Sequence, residues 1–426
     1  MAEANREASD GRALRPGHAI DLLKGGEALF AALVEAIDAA RAEVLLESYI
    51  FEFAGAPLRV AEALERAAAR GLRVRVVVDG IGTGDVPAEW QQRWSAAGLQ
   101  WRVYNPARGW RVLMPRRWRR LHRKLAVVDA RVVFCGGINL LDDYRDPTHG
   151  QLDEPRFDFA VRVTGPLVAD AHETMSRLWL RLKATREARH FDFAKAFETV
   201  LAASQAGTDM NDPQMGAKNL DASAHASAQA GEGLLAGLVL RDNLRFRKRI
   251  EHFYRYAIGQ AKSEIIIANA YFVPGVALQR ALLKAAERGV KVTLLLQGRY
   301  EYFMQHHTSR AMYGVLLAAG IEIIEYEPSF LHAKVAVFDG PLGAISTVGS
   351  SNLDPISLLL AREANVFVRD DGFAAELRAH LLEAVRTTGA RVDSTAHMKR
   401  PLTVRSLAWL AYGLMRVALF ATRHRY

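Results

Sequence analysis

The chain has 426 residues, of which half are hydrophobic and about a quarter charged, a composition typical of a globular protein of two or more domains. Its formal net charge of +9 favours anionic partners: nucleic acid, anionic lipid or phosphorylated substrates. The single cysteine, Cys135, excludes an intrachain disulfide and a cysteine-rich zinc site, and we interpret it as a small buried residue. The N-terminus lacks the apolar core of a signal peptide, and no uncharged apolar run reaches the roughly 18 residues of a membrane-spanning helix.

An internal repeat organises the chain. Residues 44–80 predict a strand, an amphipathic helix, a glycine stop at Gly71 and a second apolar strand. Residues 265–298 repeat that order, with Gly289 as the stop. Two strand–helix–strand units predict two parallel sheet segments, one in each half of a duplicated chain.

The repeat and the composition around it divide the chain. We predict a flexible N-terminus over 1–17, a first lobe over 18–200 and a second lobe over 234–395. Residues 201–233 are rich in Ala, Ser, Gly, Gln and Asp and are interpreted as a linker. Residues 396–426 form a basic, apolar C-terminal tail.

The same short motif lies in both halves, as LHRKLAVVD at 121–129 and LHAKVAVFD at 331–339. A pair of small residues and an asparagine follow each copy, in GGIN at 136–139 and in GSSN at 349–352. Nine residues separate the second aspartate from its small pair, against six in the first copy, which predicts a longer hairpin turn. The candidate site residues are His122, Lys124, Asp129 and Asn139 in the first copy and His332, Lys334, Asp339 and Asn352 in the second.

These residue types suit a phosphodiester substrate. An imidazole can attack phosphorus or transfer a proton near neutral pH, and a lysine two residues along adds positive charge for the phosphoryl oxygens. An asparagine side chain can donate a further hydrogen bond to the phosphate. Two copies supply one histidine as nucleophile and one as acid–base, so the set requires no metal and no cofactor.

The motif, HxKxxxxD followed by two small residues and Asn, resembles the signature of the phospholipase D superfamily. The strings ESYIF at 47–51 and SNLDPISLLLAREANV at 351–366 are similar to bacterial cardiolipin synthases, and the absence of N-terminal membrane helices fits the shorter B type. The expected fold is α/β, with two similar phospholipase D-like lobes, each a mixed sheet flanked by helices, and one active site at their interface.

The resemblance implies two supporting carboxylates. Glu363 is expected to orient the histidine of its own half, and Asp158 occupies the parallel place in the first half. A carboxylate bonded to one ring nitrogen fixes the imidazole tautomer and stabilises its charged form. Asp129 and Asp339, counted above with the catalytic set, have a structural role in this family and brace the hairpin.

The activity implied is phosphatidyl transfer that makes cardiolipin from phosphatidylglycerol through a phosphohistidine. The resemblance assigns His122 as nucleophile, although the sequence itself is symmetric on this point. A phospholipase D-type hydrolase or a nuclease of the same superfamily is the alternative among enzymes. A non-catalytic membrane-bound scaffold is the alternative of another class.

Two basic segments bear on the partner. Residues 107–124 contain eight Arg or Lys and two Trp, which suits either anionic lipid or a single nucleic-acid strand. Residues 404–421, VRSLAWLAYGLMRVALFA, favour an interfacial helix on an anionic membrane, with packing on the protein core as the alternative. We therefore expect an anionic phospholipid partner rather than nucleic acid, and peripheral attachment to the cytoplasmic face of the bacterial inner membrane.

Overall fold

The structure is a computed structural model. It describes residues 14–106, 118–146, 149–189, 233–241, 248–300, 303–354, 361–388, 390–393 and 413. The predicted linker and C-terminal tail lie almost entirely outside these ranges. The first strand begins at Arg15, so the start of the first lobe falls within the segment predicted as a flexible N-terminus.

The first half alternates strands and helices. Its strands are β1 (Arg15–Lys24), β2 (Glu43–Ser48), β3 (Arg73–Asp79), β4 (Gln100–Tyr104), β5 (Arg120–Leu121), β6 (Leu125–Val128), β7 (Val132–Gly136), β8 (Arg145–Asp146), β9 (Gly150–Gln151) and β10 (Phe159–Thr164). Its helices are α1 (Gly25–Asp38), α2 (Leu58–Ala69), α3 (Ala88–Ala96) and α4 (Leu167–Arg189).

The second half has a similar order, with two short helices between its third and fourth strands. Its strands are β11 (Leu234–Arg241), β12 (Glu264–Asn269), β13 (Lys291–Gln297), β14 (Glu322–Tyr326), β15 (Lys334–Phe338), β16 (Ile345–Gly349) and β17 (Ala361–Arg369). Its helices are α5 (Arg249–Gln260), α6 (Val276–Glu287), α7 (Phe303–Ala311), α8 (Tyr313–Ala318) and α9 (Asp371–Thr388).

The predicted strand–helix–strand units are confirmed. Strands β2 and β3 pair in parallel around α2, and β12 and β13 pair in parallel around α6. Each helix stops at the predicted glycine, Gly71 with φ 86° and Gly289 with φ 84°, in the left-handed conformation that glycine adopts without steric penalty. The strands read as apolar runs because helices cover the sheet and exclude water from it.

One large mixed sheet runs through both halves. Its order is β14-β13-β12-β15-β16-β17-β11-β1-β10-β7-β6-β2-β3-β4, and β5 pairs with β17 off this path. The halves meet where β1 pairs antiparallel with β11. The two similar lobes with mixed sheets are therefore confirmed, with the addition that their sheets are continuous.

Three of the four apolar core clusters in the described residues correspond to this arrangement. Each half has a core beneath its own outer helices, and a third core is shared by residues from both halves together with one face of α4 and one face of α9. The shared core buries apolar residues of both sheets in a single cluster, so it holds the two lobes in a fixed relation. Within the described ranges, no helix combines the length and apolarity needed to cross a membrane.

Candidate active site

Backbone pairing between the halves brings the two motifs together. Strand β5, just before His122, pairs in parallel with the start of β17, and the backbone N–H of His122 donates to the carbonyl of Arg362 at 3.0 Å. The second motif mirrors this, because the N–H of His332 donates to the carbonyl of Phe157 at 3.0 Å. Each histidine is thus attached to the segment of the opposite half that carries a buried carboxylate.

The carboxylates are exchanged between the halves. Nδ1 of His332 lies 2.7 Å from Oδ2 of Asp158, and Nδ1 of His122 lies 3.4 Å from Oε1 of Glu363. The expectation that Glu363 orients the histidine of its own half is therefore wrong. The reason is the cross-half pairing: the chain before each histidine runs alongside the other half's carboxylate strand. With Nδ1 of each ring facing a carboxylate, Nε2 is left for the substrate.

The two carboxylates occupy equivalent positions in the duplication. Gly137 donates its N–H to the carbonyl of Phe159 at 2.9 Å, and Ser350 donates to that of Ala364 at 3.0 Å. In each half the carboxylate is the residue just before that carbonyl. A Cβ added to Gly137 would lie 2.3 Å from a carboxylate oxygen of Asp158. This explains why a small residue follows the first motif.

Both lysines are buried beside their histidines. The Nζ of Lys124 donates to the carbonyl of His122 at 3.0 Å, and Lys334 makes the same bond to His332. Burial, together with the charge of Lys334, holds the pKa of Lys124 well below its usual range. The charge of Lys334 thus disfavours the charged form of Lys124, and a bound phosphate would offset this repulsion.

The two asparagines, Asn139 and Asn352, follow the motifs in the sequence, and both side chains are buried. Oδ1 of Asn139 accepts from the N–H of Ile50 at 3.3 Å, which leaves its amide hydrogens for another acceptor. Oδ1 of Asn352 is buried without a hydrogen-bond partner in the described part of the chain. Their role in phosphate binding stays a prediction.

The two motif aspartates lie elsewhere. Asp129 accepts the backbone N–H groups of residues 41–43 at 2.8–2.9 Å, at the start of β2. Asp339 accepts those of residues 262–264 at 2.7–3.0 Å, at the start of β12. Counting Asp129 and Asp339 with the catalytic set therefore does not match their positions. They brace the hairpins, as the family resemblance implies, and the longer second turn falls between β15 and β16 as predicted.

The environments of the two carboxylates differ. The Arg241 guanidinium, fully buried, lies 3.2 Å from Glu363. Burial acts to raise the pKa of Glu363, but Arg241 and the His122 ring outweigh it, so this pKa lies below its usual value and the group is ionised. Burial raises the pKa of Asp158 to about 7, against the opposing charge of Lys334.

Both histidines are neutral near pH 7. Burial and the charge of Lys124 lower the pKa of His122 to about 4. Burial and the charges of Lys334 and Lys124 hold the pKa of His332 well below its usual value. A proton held near neutral pH therefore belongs to the His332–Asp158 pair as a unit.

Some residues of the site were not found from the sequence. Arg241 ends β11 and has no motif around it. Asp79 accepts the N–H of Leu121 at 2.7 Å, and Gln297 does the same for Leu331 at 2.8 Å, so each holds the residue before a histidine. The sequence signal that could have found Asp79 and Gln297 is their position, since each is the last residue of the second strand of a repeat unit.

An aromatic ring lies beside the first motif. The ring centroid of Tyr49 is 4.9 Å from that of His122, and the Nζ of Lys124 is 5.4 Å from the Tyr49 centroid. The equivalent position in the second half is Ala270, by the alignment of Phe51 with Phe272 in matching bridges. The two halves therefore differ at this position as well as in the environments of their carboxylates.

The basic segment before His122 is only partly a surface. Residues 107–117 lie outside the described ranges. Arg120 pairs with buried Asp79 at 2.9 Å and Arg123 with buried Glu47 at 2.8 Å, so these two cations are engaged internally. Trp118 is exposed. In the described ranges, no group of three or more His, Cys, Asp or Glu side chains could hold a metal ion.

The sequence matches the family described as "Cardiolipin synthase, PLD-like domain" over residues 33–148 and 254–384, one match for each half. The chain belongs to this family. Cardiolipin synthase B of Escherichia coli (strain K12) is 33% identical over 94% of this chain and 89% of its own length. Cardiolipin synthase A of Pseudomonas putida (strain GB-1) is 30% identical over 91% of this chain and 73% of its own length.

A solved structure shows the same fold. The phosphatidylserine synthase of Haemophilus influenzae Rd KW20 superposes with a TM-score of 0.65 and 13% identity, covering 98% of each chain. Because the superposition covers both halves, this chain has the two-lobed fold of that structure over nearly all of its length.

Proposed function

We propose that this protein is a phosphatidyltransferase that joins two phosphatidylglycerol molecules into cardiolipin and releases glycerol. The observation that carries the proposal is the pair of buried histidines, each with a carboxylate on Nδ1 and a lysine beside it. The relatives named as cardiolipin synthases cover nearly the whole chain and supply the choice of lipid.

The first step forms a covalent intermediate. Nε2 of His122 attacks the phosphorus of the donor, and the bond from phosphorus to the glycerol headgroup breaks. The His332–Asp158 pair gives its proton, through Nε2 of His332, to the departing glycerol oxygen. Lys124 and Lys334 face the charge that builds on the phosphoryl oxygens.

The second step transfers the group. His332, now without its proton, accepts one from a hydroxyl of a second phosphatidylglycerol. That oxygen attacks the phosphohistidine, the bond from phosphorus to nitrogen breaks, and the site returns to its starting state. The product is cardiolipin, and the only other product of the cycle is glycerol.

The unequal carboxylates support this division of roles. Glu363 is ionised, so it suits a histidine that becomes positively charged when it bonds to phosphorus. The His332–Asp158 pair holds a proton near neutral pH, since burial raises the pKa of Asp158 to about 7, and a general acid must hold one. These environments favour His122 as nucleophile and His332 as acid and base, where the sequence is symmetric.

The substrate is a membrane lipid, so we infer peripheral attachment to an anionic bilayer at the cytoplasmic face of the bacterial inner membrane. The net charge of +9 and the apolar, basic tail support this. Residues 396–426 lie almost entirely outside the described part of the chain, so the interfacial helix stays a prediction from sequence.

Mass spectrometry of the products tests the activity. The protein is incubated with phosphatidylglycerol vesicles, and cardiolipin with equimolar glycerol is the expected result. Phosphatidic acid as the main lipid product would favour the hydrolase instead, and cleavage of a single-stranded oligonucleotide would favour the nuclease. No turnover of any phosphodiester would favour the scaffold. His332→Ala serves as the inactive control.

A further inference from the structure

A groove of about 470 Å³ lies on the outer helices of the second half, between α5 and α6. Its cations are Arg255 on α5 and Arg280, Lys284 and Arg288 on or at the end of α6, and no carboxylate is among the lining residues. The small side chains of Gly259, Ala277 and Ala281 leave space between the two helices. The groove is therefore a concave, cationic surface outside the catalytic site.

The duplication supplies an internal reference for this groove. In the first half, the equivalent helices are α1 and α2. Arg59 on α2 pairs with Glu27 on α1 at 2.8 Å, and Arg66 on α2 pairs with Asp38 on α1 at 2.7 Å. Arg70 adds a longer contact with Asp38 at 3.9 Å. The seam of the first half is thus bridged by ion pairs.

Matching hydrogen bonds fix the alignment between the two seams. The guanidinium of Arg70 donates to the carbonyls of Ile37 and Ala40, and that of Arg288 donates to those of Ile258 and Ala261. The helices therefore correspond residue by residue.

By this alignment the second half lacks the carboxylates of the first. The equivalents of Glu27, Asp38 and Glu62 are Lys248, Gly259 and Arg280. In the described part of the chain, no carboxylate lies within ion-pair distance of Arg255, Arg280 or Lys284, all of which are exposed.

Unneutralised cations at this spacing are unfavourable for the helix alone. Arg280, Lys284 and Arg288 are spaced four residues apart, and like charges at that spacing destabilise a helix. An anion in the groove would reverse that effect. The ligand chemistry that fits several cations around a small concave site is a phosphate group.

The helices connect this groove with the catalytic edge of the sheet. Strand β11 ends at Arg241, which pairs with Glu363, and α5 follows at Arg249. Strand β12 ends at Asn269, which accepts from the N–H of Leu353, and α6 follows at Val276. Both helices begin at that edge and run away from it, so the groove extends along them from the catalytic edge toward Gly259 and Arg288 at the opposite edge.

We infer that this groove binds the phosphodiester headgroup of an anionic phospholipid, at a site separate from the catalytic centre. The choice of a lipid over other phosphates rests on the proposed function. A nucleic-acid strand fits less well, because such sites carry successive stacking aromatics, and Tyr256 is the one Phe, Tyr or Trp among the lining residues.

One substitution tests the groove from within. Gly259→Asp puts back the carboxylate that the first half has as Asp38, facing Lys284 and Arg288. A Cβ at Gly259 would meet no atom within 4 Å, so the fold tolerates the change. Gly259→Asn is the uncharged match, since Asn and Asp have similar helix propensity. Gly314→Asp, on α8 with the same open space, makes the same change in net charge elsewhere.

Binding is measured by flotation with vesicles of phosphatidylglycerol and phosphatidylcholine at low salt. Gly259→Asp is expected to weaken binding roughly fivefold or more, since each basic residue near an anionic surface contributes about that factor. Gly259→Asn and Gly314→Asp should bind as the wild-type protein does. Equal binding by all four proteins, or an equal loss in Gly314→Asp, overturns the groove as a lipid site.

Two further measurements distinguish a lipid headgroup from other phosphates in the groove, and distinguish failure of the groove proposal from failure of the proposed function. Binding of inorganic phosphate and of a single-stranded oligonucleotide is measured with the same variants. If Gly259→Asp weakens binding of either one and leaves vesicle binding unaffected, the groove binds that ligand and the proposal of a lipid headgroup is overturned. Turnover of a short-chain soluble phosphodiester should be the same in Gly259→Asp and wild type. Absence of turnover in both would count against the proposed function and leave the vesicle comparison standing.

Discussion

Nδ1 of His332 lies 2.7 Å from Oδ2 of Asp158, a residue of the other half of the chain. Glu363 has the reciprocal relation to His122. Neither half therefore contains a complete histidine–carboxylate pair, and both pairs form only when the lobes are joined. The shared core and the β1–β11 contact hold that joint in place.

The two carboxylates are expected to respond differently to neutral substitution. Glu363→Gln leaves Arg241 buried without its anionic partner, and breaking a buried ion pair costs about 3–5 kcal/mol. Asp158→Asn should have a much smaller effect on the free energy of unfolding, because burial already raises the pKa of Asp158 to about 7. Urea unfolding of both variants at neutral pH measures the difference.

Both substitutions should also reduce kcat, by a factor on the order of 10²–10⁴, since each histidine loses its orienting group. Double substitution of Glu363→Gln with Arg241→Met serves as the control, because it removes the unpaired cation. Stability should recover in that variant while activity stays low. Equal stability of the two single variants would contradict the burial argument.

The crossing of the carboxylates could not be read from the sequence, although the participating residues could. The histidines, lysines and both carboxylates stand in recognisable repeats. Which carboxylate faces which histidine depends on β5 pairing with β17 across the chain, and β5 is only Arg120–Leu121. A pairing that short carries no periodic signal, and local spacing favours a partner in the same half.

Arg241 and Tyr49 show a second limit. Each stands at or near the end of a strand within an apolar context, and its importance comes from what lies opposite in the folded chain. The duplication gave the fold class and the strand–helix–strand order. It could not give the asymmetry of the site, because the repeat pattern records what the halves share.

The pH dependence of kcat/KM should follow the two pairs. The pKa of His122 is about 4, so the nucleophile is neutral and active above that pH. Burial raises the pKa of Asp158 to about 7, so the His332–Asp158 pair holds its proton below that pH and loses it above. Activity should therefore rise through pH about 4 and fall through pH about 7.

A short-chain soluble donor is the substrate for this measurement, because its phosphodiester stays ionised across the range. In Asp158→Asn the falling limb should move to lower pH, since His332 alone has a pKa well below its usual value. A profile that stays flat through pH about 7 in the wild-type protein would contradict the assignment of the acid.

The motif aspartates should affect stability rather than chemistry. Asp129→Asn weakens the acceptor of three backbone N–H groups and is expected to lower the free energy of unfolding by about 1–3 kcal/mol. Asp339→Asn should behave alike. The kcat of the folded fraction should stay within about twofold of the wild type, as for other changes that remove no transition-state contact. A loss of kcat without a loss of stability would place these aspartates in the reaction.

Chelation should leave turnover unchanged. Lys124 and Lys334 supply the positive charge that a metal ion would otherwise bring to the phosphoryl oxygens. The measurement is cardiolipin formation with and without EDTA, after dialysis. A strict requirement for a divalent ion, restored by adding it back, would mean that the roles of these lysines are misassigned.

Trapping the intermediate distinguishes the two histidines. If His122 is the nucleophile, a donor labelled in its phosphatidyl group should label the wild-type protein at His122 during turnover. In His332→Ala the acid and base is missing, so glycerol leaves slowly and the acceptor is not activated. A donor with a good leaving group, such as a nitrophenyl ester, removes the need for the acid and should label that variant stably at His122.

His122→Ala should show no label with either donor, because His122 is, in the described part of the chain, the catalytic-site histidine whose Nδ1 faces an ionised carboxylate. His172→Gln, outside the site, controls for the loss of a histidine and should label as the wild type does. Acid lability of the label and peptide mapping identify phosphohistidine and its position. Stable label at His332 in His122→Ala would reverse the assignment. The acid and base would then be His122, which faces Glu363. Because Glu363 is ionised, it has no proton to share with His122, so the proton of the general acid would need another source.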